Sequence, residues 1–285
     1  MTSIEFTKMH GAGNDYVYVN GFANSLPNDL EKLAIDISHR RFGVGGDGLI
    51  LILPSKQADA QMRMFNADGS ESEMCGNGIR CVAKYVYDHG IATRDQLRIE
   101  TGAGILSLQI HAKNGLAEQI TVDMGEPRLE ASLIPTTLAP AGQHVVNVPI
   151  EIKGRKLFAT CVSMGNPHCV IFVPEVDDEL VLGIGPLIEK DDRFPKKVNV
   201  EFVEVLARGE VNQRTWERGS GETWACGTGA SAVCVAGVLT GRTDRTIVNN
   251  LIGGQLKLTW DESTNHVMMT GPATEVFTGR WQVHA

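Results

Sequence analysis

The sequence predicts an α/β protein made of two similar halves, and three observations carry that prediction. The chain has 285 residues and is 42% hydrophobic, more than one core of ordinary size requires. Short motifs recur in the same order at a separation near 151 residues. Both halves mix segments of period two with longer segments that stop at glycine.

The elements follow in chain order. Ile4 and Phe6 alternate with polar residues as the first strand. Leu30 to Arg41 is predicted to be a helix, with Leu33 and Ile37 on one face and Arg40 and Arg41 near its C-terminal end, where positive charge is favoured. Gln61-Met62-Arg63-Met64-Phe65 reads as a strand, and Ile79 to Tyr87 as a helix ending before Gly90. A loop-rich stretch marked by Pro127, Pro135, Pro140 and Pro149 joins the halves. In the second half Ala230 to Leu239 forms a helix ending before Gly241, and Gln255 to Trp260 a strand. The division expected is 1–125, 126–270 and a tail, 271–285, that returns to the first half.

The repeat is seen in particular residues. Gly13-Asn14 and Gly165-Asn166, 152 apart, each lead into an apolar run. Cys75-Gly76-Asn77-Gly78 is echoed by Cys226-Gly227-Thr228-Gly229, with the cysteines 151 apart. A weaker echo sets Gly45-Gly46-Asp47-Gly48 against Val198-Asn199-Val200-Glu201.

Composition excludes several classes. With a formal net charge of -8 and no basic cluster longer than two residues, nucleic acid and anionic membrane surfaces are not expected partners. No apolar run reaches the roughly 20 residues of a membrane span. The opening residues lack the basic and apolar segments of a signal peptide, so a cytoplasmic location with six free thiols is expected. Cys75, Cys81 and His89, or Cys161, His168 and Cys169, lack the paired spacing of a zinc site, and no metal is expected. No Gly-x-Ser-x-Gly turn supports a serine hydrolase, and Gly43 to Gly48 precedes a strand where a dinucleotide loop would open a helix.

The repeated cysteine turn is where chemistry is expected. A cysteine at a helix start lies beside unpaired N–H groups, which favour the thiolate and can also hold a carboxylate. One such turn would be an ordinary cap with a buried thiol; its duplication points to two ionisable thiols. Cys81, Cys161, Cys169 and Cys234 fall in apolar runs and read as core.

Lys8-Met9-His10-Gly11-Ala12-Gly13-Asn14-Asp15, Phe65 to Ser70, Met74 to Cys81, Gly165-Asn166-Pro167-His168, Glu217 to Thr223 and Cys226-Gly227-Thr228-Gly229 together resemble diaminopimelate epimerase nearly end to end. The resemblance implies two pseudo-symmetric domains, each a β-barrel-like sheet around a central helix, with the active site in the cleft between them. It implies Cys75 and Cys226 as catalytic residues, and Asn14, Asn66, Asn166 and Asn199 as substrate-binding ones. Gly76, Asn77, Gly227 and Thr228 would hold the reacting carboxylate, Glu217 and Arg218 the distal end of the substrate, and His168 with Glu217 would adjust the thiol pKa values. Gly48 stands where some members carry a substrate-contacting Gln, and Phe277 where some carry a Tyr at the dimer contact.

The activity implied is interconversion of LL- and meso-2,6-diaminopimelate, for lysine and peptidoglycan precursors, by a homodimer that needs no cofactor. One thiolate would take the Cα proton while the opposite thiol supplies another to the other face. A proline or hydroxyproline racemase shares the two-cysteine logic, but Asn77 stands where that family has His, and the Glu217-Arg218 pair suits a substrate with a second charged end. A binding or redox-sensing protein with the same fold would take up diaminopimelate without exchanging its α-hydrogen.

Overall fold

The computed structural model describes residues 2–283. They divide into two compact units, one of residues 2–122 with 271–283 and one of residues 123–270.

The first unit contains β1 (Thr2–Gly11), β2 (Asn14–Asn20), α1 (Leu30–Ser38), β3 (Gly48–Leu53), β4 (Ala60–Asn66), the short β5 (Glu71–Ser72), α2 (Gly76–Asp88), β6 (Gln96–Thr101), β7 (Gly104–Lys113) and β8 (Leu116–Asp123). Hairpin pairs β1–β2, β3–β4, β6–β7 and β7–β8 are antiparallel, while β2–β3 and β4–β6 are parallel. The C-terminal strand, Thr274–Val283, completes this sheet by pairing antiparallel along β1. Alternation is lost in β3, Gly-Leu-Ile-Leu-Ile-Leu, because both of its faces are covered, and five of its six residues are buried. Helix α2 packs against β1, β2, β4, β6 and β7, so the sheet curls round it.

The second unit repeats the plan with β9 (Val148–Ile152), β10 (Arg155–Ser163), β11 (Pro167–Phe172), the five-residue α3 (Gly185–Glu189), β12 (Asn199–Ala207), β13 (Glu210–Glu217), β14 (Gly221–Thr223), α4 (Gly227–Leu239), β15 (Thr246–Leu251), β16 (Gly254–Trp260) and β17 (Val267–Pro272). Its parallel pairs, β11–β12 and β13–β15, correspond to β2–β3 and β4–β6. Helix α4 packs on β10, β11, β12, β15 and β16. Residues Ala230 to Gly237 are buried without exception, and a helix apolar all round is what a central position requires.

Three expectations are corrected. Helix α1 ends at Ser38 and not at Arg41: His39 turns extended (φ -63°, ψ 115°), and Gly43, Val44 and Gly45 direct their N–H groups back at His39 and Ile37. Arg40 is thereby free to leave the helix axis and reach Asp15 and Asp47, each at 2.7 Å. Helices α2 and α4 start at Gly76 and Gly227, so the glycines after each cysteine form the first helical turn. The weak third echo is also two residues out of step. Strand register pairs Tyr16 with Gly48 and His168 with Asn199, so Gly48 corresponds to Asn199 and not to Glu201.

Candidate active site

Each unit gathers its polar residues at one end of its sheet. Where two parallel strands begin, the antiparallel third ends, and the central helix also starts there. In the first unit this end carries Asn14 at the head of β2, Gly48 at the head of β3, Asn66 at the tail of β4 and Cys75 before α2. In the second the corresponding positions are Asn166 ahead of β11, Asn199 heading β12, Glu217 ending β13 and Cys226 before α4.

Cys75 caps α2: its Sγ accepts from the Gly78 N–H at 3.3 Å, and its S–H donates to Asn14 Oδ1 at 3.4 Å. Asn14 is in turn held by Asp47, whose Oδ2 accepts from Asn14 Nδ2 at 2.6 Å. Asp47 belongs to a charged cluster in which Asp15 pairs with both Arg40 and Lys8. Burial pushes the Asp15 carboxyl up, but the hydrogen bonds and charges of Arg40 and Lys8 outweigh it and leave Asp15 below the usual range. The turn itself is strapped by Arg80, a wholly buried guanidinium that donates to Gly76 O at 3.1 Å, Asn77 Oδ1 at 3.0 Å and Pro272 O at 3.3 Å. Burial lowers the Arg80 pKa, and its positive charge acts on the Cys81 sulfur beside it. Asn77 is buried, while Asn66 bonds through Nδ2 to Ser70 Oγ at 3.0 Å.

At Gly48 a Cβ would stand 2.0 Å from Phe65 O and 2.8 Å from the Tyr16 ring. This backbone excludes any side chain there.

In the second unit Cys226 is 6% exposed, and its Sγ meets Thr228 Oγ1 at 3.5 Å. Burial first, then the charges of Glu217 and Glu201, push the Cys226 thiol well above its ordinary value. Thr228 Oγ1 accepts from Asn166 Nδ2 at 3.2 Å, and Asn166 Oδ1 faces His168 Nε2 at 3.0 Å. His168 Nδ1 lies 2.7 Å from Glu201 Oε1, with both side chains fully buried. Asn199 spans Pro167 O, at 3.2 Å from its Nδ2, and the Arg218 N–H, at 2.8 Å from its Oδ1.

Of the two residues implied to adjust the thiols, His168 bonds to Glu201, while Glu217 accepts from the Thr223 hydroxyl and its charge raises Cys226. The Arg218 guanidinium is exposed and donates to Lys196 O at 3.0 Å. Asp47, Arg80 and Glu201 were not singled out from the sequence. Asp47 and Glu201 lie within the weak third echo, Asp47 just ahead of β3 and Glu201 two residues into β12, so their place in the repeat is the signal that points to them.

The remaining thiols are core. Burial pushes Cys81 up to about 11 and Cys234 up to about 12, and Cys169 is raised by its hydrogen bond with Cys161, directly opposite on β10, and by burial. All six cysteines are free. Among the described residues no His, Cys, Asp and Glu group has the arrangement of a metal site, and no helix is long and apolar enough to cross a membrane.

Comparison with known proteins adds to this geometry. The family model described as diaminopimelate epimerase matches residues 6–130 and 160–276. Diaminopimelate epimerase of Moorella thermoacetica is 52% identical over 276 residues, covering 97% of this chain and 98% of that protein. The Desulforudis audaxviator protein of the same name is 54% identical over 278 residues, covering 98% and 99%. Among solved structures, a phenazine biosynthesis protein of the PhzF family from Bacillus anthracis superposes with a TM-score of 0.71 at 16% identity, covering 99% of this chain and 100% of that one. A probable proline racemase from Agrobacterium radiobacter gives 0.68 at 17% identity, covering 99% and 93%. At such identities the likeness is one of fold.

Proposed function

The chain belongs to the diaminopimelate epimerase family, and from that membership we propose that it interconverts LL- and meso-2,6-diaminopimelate without a cofactor, Cys75 and Cys226 serving as base and acid. The observation that carries this reading is the duplication: each unit sets one cysteine at the N-terminus of its central helix, with an asparagine of the preceding strand pair beside it or one hydroxyl away.

The Cα–H is a very weak acid, so the developing carbanion needs fixed dipoles and exclusion of water. Gly76, Asn77, Gly227 and Thr228 offer helix N-terminal N–H groups to the substrate carboxylate. Cys226 is the resting thiol in this reading, because burial and the charge of Glu217 keep it protonated. In the direction begun by Cys75, its thiolate takes the Cα proton and the Cys226 thiol delivers its own to the opposite face. Asn14, Asn66, Asn166 and Asn199 position the substrate, and Glu217 with Arg218 receives its distal amino-acid end. Arg218 suits a carboxylate because its planar fork can bind both oxygens.

A homodimer and a cytoplasmic location complete the reading. Six free cysteines, two of them needed as thiol and thiolate, suit a reducing compartment. Phe277 is 48% exposed on the C-terminal strand and packs edge-on against Phe6, 6.0 Å between centroids, so it offers a partner an apolar ring with no hydroxyl.

Incubation of the reduced protein with LL-diaminopimelate in deuterium oxide, followed by NMR and chiral separation, tests the assignment. Formation of meso product bearing α-deuterium, lowered by about 10²- to 10⁴-fold in Cys75→Ala and Cys226→Ala, is expected. Absence of exchange in wild type would sink the substrate assignment, and turnover of proline instead would point to the racemase.

A further inference from the structure

The second unit contains a continuous hydrogen-bonded line, Glu201–His168–Asn166–Thr228–Cys226, with successive separations of 2.7, 3.0, 3.2 and 3.5 Å. Its polarity can be read link by link. Asn166 Nδ2 can only donate, so Thr228 Oγ1 accepts there and has its own hydrogen left for Cys226 Sγ. Asn166 Oδ1 can only accept, so His168 Nε2 carries a hydrogen. One proton then fills the 2.7 Å gap between His168 Nδ1 and Glu201 Oε1, whether as imidazolium facing carboxylate or as imidazole facing carboxylic acid. In both forms the pair is neutral overall, which suits two side chains with no exposure. Glu201 Oε2 makes no hydrogen bond, and burial raises the Glu201 pKa, as expected of an acid spared from standing as an isolated anion.

The line closes on itself in space. A Cβ built on Gly229 would lie 2.7 Å from Glu201 Oε1 and 3.3 Å from Cys226 Sγ, so only the bare glycine separates the acid from the sulfur. Glu217, on the neighbouring β13, and Cys169, on β11, are the other titratable groups whose charge couples to Glu201.

We propose that Glu201 is a positioning residue: by holding the shared proton it fixes His168 as an Nε2–H donor, and through Asn166 it turns the Thr228 hydroxyl towards Cys226, ready to receive the thiolate left when that cysteine gives its proton to the substrate carbanion. The proposal rests on the reading of Cys226 as an acid. The family resemblance implied pKa adjustment by His168 with Glu217; the direct hydrogen-bond partner of His168 is a different acid, fully buried beside it.

The decisive comparison is Glu201→Gln against Glu201→Ala. Glutamine can donate through its amide to His168 Nδ1 and keep the line intact, so its kcat should stay close to wild type. Alanine lets the imidazole place its hydrogen on Nδ1, and kcat should fall about 10- to 100-fold, the usual cost of losing an outer hydrogen-bond partner, with KM little changed. Were Glu201 acting through its charge alone, the two variants would be equally impaired, and that result would overturn the proposal, as would wild-type turnover by Glu201→Ala. Nitrogen-15 NMR of His168 in the wild-type protein gives a test independent of variant folding: Nε2 must be protonated at neutral pH, and an unprotonated Nε2 refutes the line. Cys226→Ala in the deuterium assay separates the two readings, since undiminished formation of meso product there removes the acid role of Cys226 while leaving the histidine measurement valid.

Discussion

Asp47 touches the chemistry only through Asn14, yet its carboxylate fixes which way that amide points and so which atom faces Cys75. Asp47→Ala should leave the amide free to rotate and lower kcat/KM about tenfold, the worth of one hydrogen bond to a charged group, as steady-state kinetics would show. Asp15 beside it has a folded pKa below its unfolded value. Its contribution to stability is therefore complete above the ordinary carboxylate pKa of about 4 and is lost as pH falls through the lowered value. Thermal unfolding of Asp15→Asn between about pH 2 and 5 should show a flatter acid limb than wild type. At the two thiols, Cys226 is buried and held protonated while Cys75 is partly open. Iodoacetamide at neutral pH should therefore label Cys75 first, which mass spectrometry of the tryptic peptides would reveal.

At the scale of elements, α4 depends on small residues. A Cβ at Gly237 would stand 2.1 Å from Thr243 Oγ1 and near 3 Å from the rest of that side chain. Gly237→Ala should cost about 1–3 kcal/mol of stability in denaturant unfolding, while turnover per folded molecule, far along the helix from Cys226, is retained. The elements also show what could be read beforehand. Cys75 and Cys226, with Asn14 and Asn166, were legible because a duplicated motif repeats in sequence as well as in space. Glu201 and Asp47 were not, because each acts on a site residue through a contact between elements that no local spacing records; Arg80 reaches Gly76 and Asn77 within α2 itself, but a long charged side chain in a helix reads as solvated unless its burial is known. The end of α1 was misjudged for a similar reason. Arg40 and Arg41 have good helix propensity, but the pull of Asp15 and Asp47 on Arg40 is a tertiary effect that overrides it. The third echo slipped by two because β-rich runs of like residues tolerate such a shift in sequence, whereas paired backbones do not.

For the molecule as a whole, the repeat is not quite symmetrical in how its edges are finished. In the second unit β10 is flanked by β9, which immediately precedes it; in the first, β1 is flanked by the C-terminal strand from the far end of the chain. Deleting residues 271–285 would leave β1 with an unpaired row of N–H and C=O groups and expose Ile4 and Phe6 of the core. Such a variant should aggregate or lose cooperative unfolding, as light scattering and circular dichroism would show. The same strand gives synthesis a direction. On the ribosome the first unit is begun first, but its closing strand, Thr274–Val283, emerges only after every strand wholly within the second. The half bearing Cys75 is therefore translated first yet lacks its closing strand until the half bearing Cys226 has been made, so the edge of β1 is left open for most of synthesis.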